Sequence, residues 1–388
     1  MVFTPMLPEV AGGSIEPRHI VQPFRSSLRK THFELGEVVS ASTKRRSVEV
    51  RHPLTGQTHD VEYDCLVLAL GSTTSTMGVP GAKEHGLPLR TIADAQHIRN
   101  RVIGALEVAA KTPDVVERDR LLRFVVVGGG FTGVEAAGEL RGFLHSVLRY
   151  YRTIDARHID VVMVQGAERL LPHLAQKFGM CAARSLQGRG VRILTGEEAA
   201  SLDRDGLKLK SGKRLESRTV IWAVGSEPAP IAKALGLETD KHGAVEVNPD
   251  FSVPGYSHVW AIGDCAAIPK RGGGTYAPLA QNAIREGPHL ARNIVAALHG
   301  KPTKPFRYRK AGQMASLGDR QALAQLPGNK MLTGLPAWML WRAYYLSRLH
   351  GINKRTRVAI DWTLSLLFPP ELAWLPSFGS TETSLKDA

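Results

Sequence analysis

Cysteine is scarce in this sequence, and its placement argues against several kinds of site. Only three cysteines occur among the 388 residues, at Cys65, Cys181 and Cys265. No two of them have CxxC or metal-ligand spacing, so we predict no disulfide framework, zinc ribbon or dithiol redox centre. No histidine pair has HExxH spacing either, and we expect no metal site. This cysteine usage is typical of a reducing compartment.

Long apolar segments are also missing. No window of about 18 uncharged apolar residues exists, so no membrane-spanning helix is expected. The N-terminal residues contain no apolar segment of the kind that a signal peptide needs. These absences favour a protein in the cytosol or bound peripherally to the cytoplasmic face of a membrane.

Acidic residues are few towards the C-terminus. The chain has 50 Lys and Arg against 36 Asp and Glu, yet residues 301–357 contain a single acidic residue, Asp319, among twelve basic ones. Four of the six tryptophans lie in the last 51 residues. Basic side chains beside Trp and Tyr are typical of an anionic membrane surface. Nucleic acid is the alternative, but without an RNP or helix-turn-helix pattern we expect no nucleic-acid partner.

Strands and helices alternate through the middle of the chain. A buried strand at 124–127 leads into a glycine turn and a helix, and further strands are predicted at 158–166, 191–194 and 219–224. The alternation predicts an α/β fold with a parallel sheet. Outside this region we predict buried strands at 61–72 and 256–266, and a helix at 278–299.

The glycine turn is the strongest chemical signal. Gly128, Gly130 and Gly133 form GxGxxG between the strand and the helix. The first glycine permits a tight turn, the second lets a pyrophosphate approach the backbone, and the third lets the helix pack on the strand. We therefore predict dinucleotide binding, with a turn made only for packing as the alternative.

The second strand of such a unit normally ends in an acidic residue that binds the adenosine ribose. Here it ends in Gln165, which is neutral and would not repel a 2′-phosphate. We predict weakened discrimination against NADP. The alternative is that Glu168 or a nearby backbone group takes this role.

Two segments, LALGS at 68–72 and WAVGS at 222–226, read as strands ending at Gly71 and Gly225. Flavoprotein reductases with two nucleotide-binding domains have such a strand near the end of each domain. Only the second strand is preceded by a glycine-rich turn. A first βαβ unit, about 30 residues or more, is therefore expected to be missing.

Several longer motifs occur along the chain: FTPMLPEVAGGSIEPRHIVQPFR (3–25), VVVGGGFTGVEAAGEL (125–140), AERLLP (167–172), VWAIGDCAA (259–267), YAPLAQNAIREG (276–287), FRYRKAGQMASLGDRQAL (306–323), GLPAWMLWRAYYLSRLHG (334–351) and RVAIDWTLSLLFP (357–369). In these motifs the chain resembles the type II NADH dehydrogenases, single-chain NADH:quinone oxidoreductases that do not pump protons. The resemblance implies bound FAD, NAD(P)H as donor and a membrane quinone as acceptor.

It also implies two Rossmann-like dinucleotide-binding domains, the first truncated at its N-terminus and split around the second, with a C-terminal helical segment that associates with the membrane. We expect a first part of the FAD domain at 1–118, the NAD(P)H domain at 119–250, the second part of the FAD domain at 251–330 and the membrane-associating region at 331–388.

Site residues follow from the same resemblance. Glu135 matches a glutamate that faces the nicotinamide and the flavin, with a simple helix-dipole carboxylate as the alternative. Gly263 and Asp264 match the segment that binds the flavin ribityl chain. Ala280 and Gln281 match residues at the isoalloxazine and the quinone head. Val38 matches a backbone contact to the adenine half of FAD, with an ordinary strand valine as the alternative.

Two departures from the family pattern matter. Many members carry a second glutamine where this chain has Arg285, so the quinone head would meet a charged donor there. The N-terminal strand and its glycine turn, which hold the FAD pyrophosphate in the family, are missing. FAD binding by the chain as written is therefore expected to be impaired.

The C-terminal aromatic segment is expected to dock on an anionic membrane. Its candidate interfacial residues are Trp338, Trp341, Tyr344, Tyr345, Leu346, Arg342 and Arg348, joined by the basic residues Lys354, Arg355 and Arg357. A helix packed on the protein's own core, or on a twin subunit in a homodimer, is the alternative. Other functions left open are a different FAD/NAD(P) reductase and an inactive, flavin-free NAD-binding fragment.

Overall fold

The computed structural model describes residues 1–28, 30–231, 235–308 and 312–374. Its α-helices are α1 (Leu7–Ala11), α2 (Phe24–Ser27), α3 (Ala82–His85), α4 (Ile92–Ala109), α5 (Val115–Leu122), α6 (Phe131–Val147), α7 (Gln176–Gln187), α8 (Ala280–Leu298), α9 (Gly334–Arg348) and α10 (Ile352–Leu367).

The described residues also form short β-strands. They are β1 (Glu37–Ser42), β2 (Ser47–Arg51), β3 (Thr58–Glu62), β4 (Leu66–Leu68), β5 (Ser72–Thr74), β6 (Leu87–Pro88), β7 (Arg123–Val127), β8 (Asp160–Gln165), β9 (Val191–Thr195), β10 (Ala199–Asp203), β11 (Gly206–Leu209), β12 (Arg214–Glu216), β13 (Thr219–Trp222), β14 (Ser226–Pro228), β15 (Val245–Glu246), β16 (Val259–Ala261), β17 (Ala266–Ala267), β18 (Gln313–Gly318), β19 (Gln321–Leu326) and β20 (Lys330–Thr333).

The chain divides into two compact units, each built from segments that are distant in sequence. The first unit comprises Met1–Ser27, Thr76–Gly225 and Ala311–Ala388, and the second comprises Leu28–Ser75 and Ser226–Lys310.

A five-stranded parallel sheet with the order β6-β13-β7-β8-β9 forms the centre of the first unit. Its central strands are runs of buried valine, which is the composition expected of a parallel sheet covered on both faces. The predicted strands at 158–166, 191–194 and 219–224 are confirmed as β8, β9 and β13. The predicted α/β fold is likewise confirmed.

The C-terminal part of the first unit is an antiparallel sheet, β18-β19-β20, followed by α9 and α10. Trp341 is 1% exposed and Trp338 is 9% exposed, and both belong to the hydrophobic core. The prediction that these two tryptophans lie in a membrane interface is therefore wrong, because burial in the unit's own core already removes them from water. Among the described residues no helix is both long and apolar enough to cross a membrane.

The second unit contains the antiparallel sheet β1-β2-β3, the two-stranded sheets β14-β5, β15-β17 and β16-β4, and the helix α8. The predicted single buried strand at 61–72 is wrong. The chain there ends β3, forms β4 and begins β5, with Val61 and Val67 both more than a third exposed. The apolar residues of this segment predicted one strand that is buried along its whole length. Instead, β3, β4 and β5 are short, and each pairs with a different strand. The helix predicted at 278–299 is confirmed as α8.

Candidate functional site

The glycine turn lies where β7 ends and α6 begins. Gly128 has φ +109°, a backbone conformation that L side chains rarely adopt, and its N–H donates to Val164 O at 2.8 Å. A Cβ on Gly133 would lie 1.8 Å from Gly128 O, so only glycine lets α6 start this close to β7. At Gly130, the residue that precedes α6, a Cβ would meet nothing within 4 Å. The open side of the turn thus exposes the unpaired N–H groups of the helix N-terminus, which suits a pyrophosphate.

Gln165, the last residue of β8, is bonded into this turn. Its Oε1 accepts from Gly129 N at 2.8 Å, and its Nε2 donates to Arg169 O at 3.3 Å. The side chain is neutral and is held by backbone groups on both of its polar atoms. Glu168, the alternative ribose-binding residue, is exposed three residues later.

Glu135 lies in the second turn of α6 and is 7% exposed. Its Oε1 accepts from the backbone N–H of Ser316 on β18 at 3.0 Å. Burial raises the pKa of the Glu135 carboxyl to about 8, although the Ser316 hydrogen bond opposes the shift. Burial therefore favours the protonated form of this carboxyl group. A simple first-turn carboxylate on the helix dipole does not describe this residue.

The second unit holds the residues predicted to contact FAD. Asp264 follows β16 in a 3-10 helix, Gly263–Cys265, and its Oδ2 accepts from Ser72 Oγ at 2.7 Å. Gly263 has φ +74°, and its N–H donates to Glu286 Oε2 at 2.8 Å. Glu286 on α8 is 2% exposed, and burial raises the pKa of its carboxyl. This glutamate fixes the backbone beside Asp264.

Two further predicted residues, both glycines, lie at chain turns, and a third lies in a strand. Gly71 precedes β5 with φ +68° and open space on its Cβ side, and its carbonyl accepts from Ala229 N at 3.3 Å. Gly225, in the first unit, follows β13 and also has φ +68°. Val38 is a half-buried residue of β1, next to a register shift between Val38 and Ser40.

Ala280 and Gln281 are the first two residues of α8. Their position places unpaired backbone N–H groups and the half-buried Gln281 side chain at one helix end. The Arg285 guanidinium donates to Gln281 O at 2.5 Å and lies 4.5 Å from the centre of the Tyr308 ring. Arg285 is thus anchored on its own helix and on Tyr308.

Sequence reasoning missed several polar residues that support these sites. They are Ser72 and Glu286 in the second unit and Glu9, Glu139 and Ser316 in the first. A signal existed for Glu139, because it stands four residues after Glu135 and therefore shares its helix face. Ser72, Ser316 and Glu9 come from distant segments of the chain, and no sequence pattern indicated their roles.

The part of the chain that the structure describes contains no metal-binding cluster and no disulfide bond. No group of three or more His, Cys, Asp or Glu residues there is arranged to hold a metal ion. Cys65, Cys181 and Cys265 are all free thiols.

Two protein-family models match this chain. A family model described as pyridine nucleotide-disulphide oxidoreductase matches residues 1–287, and one described as NDH2 C-terminal domain matches residues 311–369.

Two curated relatives illustrate the likeness. The type II NADH:quinone oxidoreductase Ndh of Mycobacterium tuberculosis is 32% identical over 381 residues, covering 94% of this chain and 81% of that protein. A probable NADH dehydrogenase of Dictyostelium discoideum is 30% identical, covering 96% of this chain and 83% of that protein. Among solved structures, NDH2 from Plasmodium falciparum in complex with NADH matches the fold with a TM-score of 0.89 at 20% identity, covering 96% of this chain and 92% of that one.

The family model over residues 1–287 shows that the chain is a pyridine nucleotide-disulphide oxidoreductase, a class that uses FAD and NAD(P)H. Within that class, the chain belongs to the type II NADH:quinone oxidoreductase family.

Proposed function

We propose that this protein oxidises NAD(P)H and reduces a quinone, with FAD as its cofactor. The observation that carries the proposal is the open glycine turn at the start of α6, in a chain that belongs to this family. The redox chemistry is that of bound FAD, which passes electrons from NAD(P)H to the quinone. The protein's own residues bind and orient the reactants.

The first unit supplies the donor site in this proposal. Gly128, Gly130 and Gly133 hold the pyrophosphate of NAD(P)H at the N-terminus of α6, where the helix dipole also favours negative charge. Gln165 meets the adenosine ribose beside them. Glu135 holds a proton on its buried carboxyl group.

The second unit supplies the flavin site. Asp264, fixed by Ser72, accepts hydrogen bonds from the ribityl hydroxyls, and Gly263 lets the backbone approach the cofactor. Val38, Gly71 and Ala280 contact the cofactor through their backbones, and Gly225 contributes a turn at the end of the donor domain. The open Cβ side of Gly71 fits a group lying against that turn. We assign the quinone head to Gln281 and Arg285. The domain boundaries given above stay predictions.

We also propose that the protein attaches peripherally to a membrane through the exposed apolar side chains of its C-terminal helices. Those exposed by more than a third on α9 and α10 are Leu335, Met339, Leu340, Ile352, Ile360, Leu364, Leu366 and Leu367, and the exposed Phe368 and Trp374 follow α10. Arg348, Arg355 and Arg357 are exposed on the same helices and suit anionic lipid. The cytoplasmic face is favoured because its leaflet carries the anionic lipids.

A visible absorbance spectrum tests the catalytic proposal. The purified chain with FAD should show flavin bands that bleach on adding NADH without oxygen and recover on adding a soluble quinone. Bands that NADH leaves unchanged, or reduced bands that quinone leaves unchanged, would contradict the proposal. A protein that shows no flavin bands even after incubation with FAD would contradict it as well.

A further inference from the structure

The Asp264 turn, Gly263–Cys265, lies at the carboxyl ends of two parallel strands in the second unit. β4 and β16 pair in parallel, Ser72 comes after β4, and Asp264 comes after β16. Ile262 N donates to Leu68 O at 3.0 Å, so the backbones also join the two strand ends. Ligands of open parallel sheets bind at this edge, which is where the Ser72–Asp264 hydrogen bond lies.

Gly263 does not by itself select the conformation of this turn. Its φ is +74°, and glycine adopts positive φ about as readily as negative φ. A Cβ there would lie 3.8 Å from the Ala283 Cβ, which is ordinary van der Waals contact, so close packing does not confine the glycine. A contact from outside the turn must therefore hold the backbone if Asp264 is to keep one orientation.

Glu286 supplies that contact. It lies in the second turn of α8, is 2% exposed, and accepts the Gly263 N–H on its Oε2 at 2.8 Å. Because Glu286 is buried, breaking this bond would leave its carboxyl oxygen without a partner and with little access to water, which costs free energy. The hydrogen bond therefore selects the backbone conformation from which Asp264 reaches Ser72.

The same helix carries the residues assigned to the quinone head. Gln281 precedes Glu286 by five positions, and the Arg285 guanidinium donates to Gln281 O at 2.5 Å. Ala283, which lies between them in sequence, is the residue that a Cβ on Gly263 would contact. The start of α8 and the Asp264 turn are thus in direct contact at two points, through a side-chain hydrogen bond and through van der Waals packing.

Asn282 fixes the chain where it enters α8. It is 6% exposed, and its Nδ2 donates to Ala277 O at 2.8 Å. Asn282 and Glu286 are four residues apart, so these two buried polar side chains lie on the same face of the helix. This face holds the surrounding backbone, whereas Gln281 and Arg285 are only half-buried.

We propose that Glu286 is a positioning residue that holds the Asp264 turn and the start of α8 in one fixed arrangement. The proposal rests on the flavin and quinone contacts proposed above for Asp264, Gln281 and Arg285. Without the hydrogen bond, the turn would populate other conformations, and the apparent affinity for FAD would fall by the fraction of molecules that stays competent to bind.

FAD binding by the full chain tests the proposal and needs no turnover. Glu286→Met keeps the length of the side chain but removes the acceptor, and it should raise the Kd for FAD about tenfold. Glu286→Gln keeps an acceptor oxygen and should stay within about threefold of the wild-type Kd. An unchanged Kd in Glu286→Met, or an equal loss of affinity in Glu286→Gln, would overturn the proposal.

Asn293 offers a matched control two turns further along α8. It is 3% exposed, and its Nδ2 donates to Asp250 O at 3.1 Å and to Lys304 O at 2.9 Å, so it holds a different part of the backbone. Asn293→Leu should lower the melting temperature, as Glu286→Met does, but should leave the Kd for FAD unchanged. An equal rise of the Kd in Asn293→Leu would show that lost stability alone weakens binding, and would overturn the proposal.

The KM values of the FAD-loaded enzyme give a second readout. Glu286→Met should raise the KM for a soluble quinone severalfold, because Gln281 and Arg285 lie on the helix that it holds. The KM for NADH should stay within about twofold, since the donor is proposed to bind the first unit. Equal changes in the two KM values would overturn the assigned role at the start of α8.

Hydrogen exchange at the Gly263 amide tests the contact without FAD. This proton should exchange at least about tenfold more slowly in the wild type than in Glu286→Met, and Glu286→Gln should restore the protection. If Glu286→Met fails to fold, exchange of the wild-type proton at the rate of an unprotected peptide would by itself overturn the proposal. Failure of the proposed function is separate, because it would appear as wild-type flavin bands that NADH does not bleach.

Discussion

The side-chain oxygen of Gln165 accepts a hydrogen bond from the backbone N–H of Gly129 at 2.8 Å, so the end of β8 is tied directly to the glycine turn. The residue proposed to meet the donor's ribose is thereby tied to the turn proposed to bind the donor's pyrophosphate. The neutrality of this side chain matters, because a carboxylate there would repel a 2′-phosphate.

Replacing Gln165 by Glu should raise the preference for NADH over NADPH. A negative charge about 4 Å from a 2′-phosphate costs from about 1 kcal/mol in bulk water to about 4 kcal/mol near a protein surface, which corresponds to about tenfold or more in the ratio of kcat/KM values. Steady-state rates with both donors measure the ratio. If the ratio is already strongly in favour of NADH in the wild type, the role assigned to Gln165 is wrong.

Two glycines on α6 offer a matched pair of substitutions. Gly133→Ala should lower thermal stability and raise KM for NADH about tenfold or more, because its Cβ would lie 1.8 Å from Gly128 O. Gly142→Ala meets nothing within 4 Å and should stabilise the helix by about 0.5–1 kcal/mol. Melting curves and NADH kinetics of the two variants separate the effects. Equal behaviour of the pair would show that the turn is not constrained as described.

The raised pKa of Glu135 predicts a pH dependence of stability. Because folding raises this pKa from 4.5 to about 8, the contribution is fully present below about pH 4.5 and is lost as the pH rises to about 8. Melting temperatures of the wild type should therefore fall across that window. Glu135→Gln should give a shallower fall, whereas the exposed Glu107→Gln should keep the wild-type slope. Parallel curves for Glu135→Gln and the wild type would argue against a buried, protonated Glu135.

Asp264→Asn should weaken FAD binding. The substitution removes the charge from the hydrogen bond that Ser72 Oγ donates at 2.7 Å, and a hydrogen bond to a charged group contributes about 1.5–3 kcal/mol. Flavin content after gel filtration should fall, with affinity reduced by about tenfold or more. Asp60→Asn, which alters an exposed ion pair of 4.0 Å in the same unit, is the control. Full flavin retention in Asp264→Asn would remove Asp264 from the proposed site.

Membrane attachment can be tested without disturbing the core. Phe368→Glu changes a side chain that is 62% exposed and should reduce cosedimentation with anionic vesicles severalfold. Leu298→Glu changes a side chain that is 65% exposed at the end of α8 and should not. If neither variant changes vesicle binding but Phe368→Glu lowers the mass in analytical ultracentrifugation, the exposed face is a homodimer contact instead. Truncation before α9 is a poor test, since it removes Trp341 and Trp362 from the core.

The fold was predicted correctly where elements that contact each other are also adjacent in sequence. The glycine turn, the valine strands β7 and β8 and the helix α6 follow one another directly in sequence, so their contacts need no long-range information. The strand predicted at 61–72 failed for the opposite reason. Its first piece belongs to a hairpin with the preceding strand β2, whereas the other two pair with β16 and β14, which lie far along the chain. Pairing rather than hydrophobicity sets their burial.

Dinucleotide binding could be predicted from the amino-acid sequence alone, because it depends on glycine spacing, which a βα turn converts directly into geometry. The tertiary structure sets the environment of the Glu135 carboxyl group. Glu9, Glu139 and Arg342 are separated by up to 333 residues, and their influence depends on desolvation and distance, which exist only once α1, α6 and α9 have packed together. It also decided that Trp338 and Trp341 are buried, since an aromatic segment has the same composition whether it faces lipid or the protein's own core.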